Sequence, residues 1–251
     1  MMEEDKFYKN IQKALEDLPE NYNILEEQID IDVQMKYFEF TKNTREKDNA
    51  EECFEKRDEL FNDEMGEERK KEILTAIAVY DDVKAYRTIE KFVGEASGEL
   101  KQWAILAFQE SRMLMHSSLL DEQQVFISTG LGGKGQKLRY FVVFLNKDQN
   151  EMLNKTQQKL LKDELIFELK KHEGEFESME IMEGFSSTLV MLPLHVEIKQ
   201  VFSNVIDECN QYGNFLQEDL IITNVKKMSR SEIIQLIYQN KKGDFEELDE
   251  E

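Results

Sequence analysis

The sequence predicts an α+β protein, helical throughout its first half and mixed in its second. Two patterns predict it. Apolar residues recur at three- and four-residue spacing through residues 66–116, the mark of helices with one buried face. From Val125 onward, runs rich in β-branched and aromatic residues, such as VFISTG and KLRYFVVFL, alternate with helical stretches. Composition permits both: 40% of the 251 residues are hydrophobic and 10% aromatic, enough for a sizeable core although 34% are charged.

In chain order, KFYKNIQKALEDL places Phe7, Ile11, Ala14, Leu15 and Leu18 on one helical face, and Pro19 ends it. Helices are expected over 24–42 and 50–61, although IDIDVQ also alternates like a short strand. A stripe of Ile73, Ala76, Ile77 and Tyr80 follows. A second helix carries Val83, Tyr86, Ile89, Phe92 and Val93, and a third Leu100, Trp103, Ala104, Ala107, Phe108, Ser111 and Met115. The breaks between them, YDD and EASG, are short enough to make successive helices antiparallel neighbours. In the pairing of DDVKAYRTIEKFV with ELKQWAILAFQE, residues 66–116 resemble HEAT-like helical repeats. The resemblance implies a stack of helix pairs that presents an extended surface.

Past SSLLDEQQ the predicted order is strand–strand–helix–strand–strand–helix–strand–helix: about five strands and three helices in an α/β sandwich. In KLRYFVVFL, Leu138, Tyr140, Val142 and Phe144 face one way and Phe141, Val143 and Leu145 the other, which fits a central strand. A polar helix spans about 149–172, and FESMEIMEGF with STLVMLPL reads as a hairpin turning at GFSS. Helix 196–210 has Ile198, Val201, Phe202, Val205, Ile206 and Cys209 on one stripe. EDLIITNV is the last strand, and Ser229 with Glu232 forms a capping-box pattern before the last helix. The expected domains are 1–117 all-helical, 118–243 α+β, and 244–251 an acidic disordered tail.

The net charge is −21, and it is unevenly spread. Residues 1–68 hold 22 acids and 9 bases, whereas 121–243 hold 18 and 15, and the last eight residues hold six acids and no base. So acidic a surface predicts no nucleic-acid partner and no anionic membrane; solubility is its plainest role, and a basic protein partner is the alternative. The opening MMEEDKFYKN has acids where an export signal would have bases, and no apolar run is long enough to span a bilayer. Cys53 and Cys209 supply no disulfide framework, so a reducing, cytoplasmic location is expected.

Among candidate sites, STGLGGKGQKLRY gathers four glycines and two lysines between Gly130 and Lys137. A phosphate loop would need Ser or Thr after Gly133–Lys134 and a helix directly downstream. Here Gly135 and a strand follow, so a hairpin is the reading, with Lys134, Lys137 and Arg139 as candidate ligand-binding residues for an acidic or phosphorylated ligand. His116, His172 and His195 show no metal-ligand spacing, so no metal or other cofactor is expected. No nucleophile–base spacing is present. The sequence therefore favours a non-catalytic interaction or adaptor module, not an enzyme. A small-ligand or nucleotide-responsive regulator using the Gly130–Gly135 loop is the alternative, and an enzyme whose site is assembled only in space is third. Oligomeric state is left open.

Overall fold

The computed structural model describes residues 22–45, 49–120 and 125–248, so the helix expected over 6–18 lies outside the described residues. The fold is α+β, as the sequence predicts. The chain divides into two compact units, residues 1–139 with 191–197, and residues 140–190 with 198–251.

The first unit is mostly helical: α1 (Ile31–Arg45), α2 (Ala50–Glu55), a 3-10 turn (Arg57–Phe61), α3 (Glu67–Ala78), α4 (Val83–Glu95) and α5 (Gly98–Leu120). Asp82 caps α4 by accepting from the Lys84 amide at 2.6 Å. α5 packs against both α3 and α4. Ala76, Ala104 and Ala107 at their contacts are almost fully buried, and their small side chains let the helices approach closely. Trp103 sits at the centre of this core, in edge-on contact with Tyr37 (5.3 Å) and Phe40 (5.4 Å), and its indole N–H donates to Thr75 Oγ1 at 3.2 Å.

This unit also holds short strands that differ from expectation. β1 (Tyr22–Ile24) falls where a helix was expected to begin, and it pairs in parallel with β2 (Val125–Ile127). VFISTG was read as the hairpin partner of KLRYFVVFL. Instead the partner is β3, only Gly133–Lys134, joined by a two-residue turn to the head of β4 (Lys137–Asn146). Gly135 in that turn has φ +60°, a conformation that glycine adopts without strain.

The second unit contains most of β4, then α6 (Lys155–Lys171), β5 (Glu175–Met182), most of β6 (Phe185–Pro193), α7 (Ile198–Gln211), β7 (Leu216–Thr223) and α8 (Arg230–Leu248). Its strand order is β7–β4–β6–β5, the split β-α-β arrangement, in an antiparallel sheet. β4 is central, in line with its apolar residues on both faces. It pairs with β7 in the register Val142↔Ile222 and Phe144↔Leu220. The β5–β6 turn falls at Glu183–Gly184, two residues earlier than GFSS suggests, because Gly184 supplies the positive φ of +84°. Phe144 meets Phe202 of α7 edge-on at 6.1 Å, which places α7 against the even-numbered face of β4. Asn210 holds the start of β7 by two hydrogen bonds of 2.9 Å to the Leu216 backbone. α8 runs on to Leu248, into the acidic stretch read from sequence as a tail. Among the described residues, no helix is long and apolar enough to cross a membrane.

Candidate nucleic-acid interface

α6 has two distinct faces, one apolar and one rich in lysine. Its start is held by a capping box in which Asn154 accepts from the Thr156 and Gln157 amides while the Gln157 side chain accepts from the Asn154 amide. Leu161, Leu165 and Leu169, at four-residue spacing, are at most 1% exposed and form the side packed on α7. With one turn per 3.6 residues, Lys155, Lys159, Lys162 and Lys170 fall within about 80° of one another on a different side and reach about 22 Å along the axis. All four are exposed. None has a carboxylate within ion-pairing distance among the described residues. Lys162 instead lies 5.2 Å from the centroid of the Phe176 ring. Beside this stripe, Phe167 is 57% exposed, with Lys171 Nζ 4.4 Å from its ring centroid. The helix carries five lysines against three carboxylates, a local excess of positive charge in an acidic chain.

A polar cluster ties the last turns of α6 to α7. Glu168, only 5% exposed, accepts from Asn204 Nδ2 at 2.8 Å and from Lys171 Nζ at 2.6 Å, and His172 Nε2 lies 3.5 Å away. Gln200 in turn donates to Asn204 Oδ1 at 2.7 Å. Burial by itself would raise the Glu168 carboxyl, but the hydrogen bonds from Asn204 and Lys171 and the nearby positive charge outweigh it and hold it below the usual value. A lowered native value makes the ionised carboxylate stabilising above the unfolded-chain value of ~4.3, and that stabilisation is lost as pH falls through the native value. Glu168→Gln is therefore expected to cost about 1–3 kcal/mol near neutral pH and to converge on the parent in acid. Urea unfolding followed across pH checks this; a cost that stays constant down the acid limb would contradict it.

The glycine-rich segment forms the hairpin read from the sequence and also packs closely on a distant stretch of backbone. Gly130 to Gly133 are buried, and a Cβ on Gly132 would meet the Glu26 and Glu27 carbonyl oxygens at 2.6 Å. The Ile24 amide donates to Gly135 O at 2.9 Å. The glycines thus let this segment lie directly on the backbone of residues 24–27. Lys134 is exposed and Lys137 half-buried, opposite each other across the hairpin. Arg139 Nη1 donates to Leu131 O at 2.7 Å, so this guanidinium closes the loop on itself. The structure brings the two lysines together and commits Arg139 to the loop.

Of the other groups weighed from sequence, His116 and His195 are exposed, and Cys53 and Cys209 are buried free thiols. Burial, with the charges of Glu164 and Glu208, pushes the Cys209 thiol up to about 12, which leaves it unreactive at neutral pH. No group of three or more His, Cys, Asp or Glu residues able to hold a metal occurs among the described residues. The lysine face of α6 escaped the reading of the sequence, which weighed net charge by segment. A helical wheel of residues 155–171 carries the signal.

No family model matches the chain, and no curated protein matches it. Solved structures do. One is a "putative transposase" from Deinococcus radiodurans R1, 17% identical, covering 41% of this chain and 90% of its own, with a TM-score of 0.36. Another is a REP-associated tyrosine transposase bound to a REP hairpin, 12% identical, covering 36% of this chain and 58% of its own, with a TM-score of 0.32. These neighbours correct three expectations: the non-catalytic adaptor, the chain that is not an enzyme, and the absence of a nucleic-acid partner. All three are withdrawn. At these TM-scores the likeness transfers neither an activity nor a residue's role to this chain.

Proposed function

We propose that the second unit binds the phosphate backbone of a nucleic acid along the lysine face of α6. The observation that carries this reading is the stripe of Lys155, Lys159, Lys162 and Lys170, exposed on one side of a rigid, capped helix without carboxylate partners among the described residues. Lysines in that state attract phosphates and release condensed counterions when they bind them. The exposed Phe167 ring beside the stripe adds a surface on which an unpaired base can stack. The −21 net charge does not oppose this at every point of the surface. At physiological salt, exposed charges act over only about 8 Å, so the local excess on α6 governs contact there.

The test is fluorescence anisotropy with labelled single-stranded and duplex oligonucleotides over a salt series. Three to four phosphate contacts give a slope of log K against log salt of about −3 to −4 on duplex, and about −2 to −3 on single strands. Lys155→Ala and Lys159→Ala each make that slope shallower by about one contact's share and weaken binding on all sequences alike. The reading fails if no oligonucleotide binds at low salt, or if the Lys155→Glu/Lys159→Glu variant, folded by circular dichroism, binds as tightly as the parent.

A further inference from the structure

Away from α6, the first unit contains a concavity of about 250 Å³ between α1, α3 and α5. α1 contributes Lys36, Glu39, Phe40 and Asn43, whose three- and four-residue spacing puts them on one side of the helix. α3 adds Glu68 and Lys71, and Trp103 of α5 lies at the base. We propose that this concavity binds a small zwitterion of the α-amino-acid type.

Lys71 is only 8% exposed, an uncommon state for lysine. Its ammonium donates to Glu68 at 3.2 Å and Glu99 at 3.0 Å and lies 4.9 Å from the centroid of the Trp103 ring. Burial opposes its charge, but the bonds to Glu99 and Glu68 outweigh that and hold the lysine above its ordinary value, so it stays protonated. An ammonium has three donors, and two are used. Lys36 lies 3.6 Å from Glu99, an ion pair longer than a hydrogen bond. The side chains of Glu39 and Asn43, which line the same concavity, make no hydrogen bond or ion pair among the described residues, and the partly buried Phe40 ring supplies an apolar surface.

Each simpler ligand leaves a group mismatched. A plain anion suits the lysines but meets the Glu39 carboxylate. A plain cation suits Glu39 but meets Lys36 and Lys71. A neutral apolar molecule would strip water from all of them without replacing it. A nucleotide or peptide needs more room than a site below the usual ~300–1,000 Å³ range offers. An amino acid meets every requirement: its carboxylate takes the free donors of Lys71 and Lys36, its ammonium takes Glu39 and the Asn43 amide oxygen, and its side chain covers Phe40.

Trp103 is the chain's single tryptophan, so its emission reports on this site directly. The experiment titrates the full-length chain with each proteinogenic amino acid in turn, and repeats any responding one as its deaminated acid and its decarboxylated amine. For leucine those are isocaproate and isoamylamine. A saturable emission change with at least one amino acid is expected, with both halves binding at least about tenfold more weakly, since each loses a charged hydrogen bond. Glu39→Gln, at an exposed position that does not threaten folding, is expected to weaken the amino acid by a similar factor while the deaminated acid, freed of the Glu39 charge, binds no more weakly than to the parent. The proposal is overturned if no amino acid changes the emission, if the deaminated acid binds as well as its parent, or if Glu39→Gln leaves affinity unchanged. Oligonucleotide binding by α6 is read by a separate signal, so neither result decides the other.

Discussion

Trp103→Ala is expected to destabilise the first unit by about 3–5 kcal/mol, the range for removing a large buried aromatic side chain. The indole is 2% exposed and sits where three helices meet. Tyr37 and Phe40 of α1 contact it edge-on, with interplanar angles of 69° and 84°. Lys71 of α3 stacks its charge on one side, and Thr75 Oγ1 accepts a hydrogen bond from the indole N–H. Truncation leaves a cavity lined by two rings and a buried ammonium that loses its aromatic neighbour. Trp103→Phe keeps most of the ring contacts. It also leaves Thr75 satisfied, because that hydroxyl donates to Lys71 O at 2.7 Å. Phenylalanine should therefore cost less than half as much as alanine. Urea unfolding followed by circular dichroism measures both, since the fluorescent probe is lost. A typical domain is stable by only about 5–15 kcal/mol, so the alanine variant should approach the unfolding threshold. A cost under about 1 kcal/mol would show that Trp103 does not organise this core.

The second large effect is expected at Gly132. Its φ of +66° is costly for any residue with a Cβ. A Cβ there would also meet the Glu26 and Glu27 carbonyl oxygens at 2.6 Å and that of Leu25 at 2.9 Å. These are backbone atoms, so no side-chain rotation relieves the overlap. Gly132→Ala should therefore cost about 2–5 kcal/mol, combining backbone strain with overpacking. Two controls separate the contributions. Gly135 has φ +60° with open space around it, so Gly135→Ala should cost only the strain, about 1–2 kcal/mol. Gly94 lies in α4 with open space and no positive φ, and Gly94→Ala should stabilise by about 0.5–1 kcal/mol. Thermal melts of the three variants give the order directly. If Gly132→Ala and Gly135→Ala cost the same, the close packing of residues 24–27 on this loop is not what Gly132 is for.

The glycine loop illustrates how differently two kinds of information are encoded. Its composition marks a turn, and the downstream strand removes a helix-based phosphate cradle, both visible in consecutive residues. Why three successive positions, Leu131 to Gly133, are buried is not visible there, because the covering backbone belongs to residues 24–27, about a hundred positions earlier. The lysine face of α6 is the opposite case. It lies entirely within residues 155–170, and net charge summed over segments concealed what a helical wheel displays. That averaging led to the withdrawn exclusion of nucleic acid.

Periodicity in neighbouring residues was enough to specify the α+β class, the helices from Glu67 onward, the central position of β4 and the strand and helix order from β4 onward. Those features depend on which side of an element is apolar, and that repeats every two or 3.6 residues. The pairing of β1 with β2, the Lys71–Glu99 ion pair and the Glu168–Asn204 bond depended on folding. Each joins residues 28 or more positions apart, and no local repeat encodes which distant partner a backbone edge or buried charge will meet.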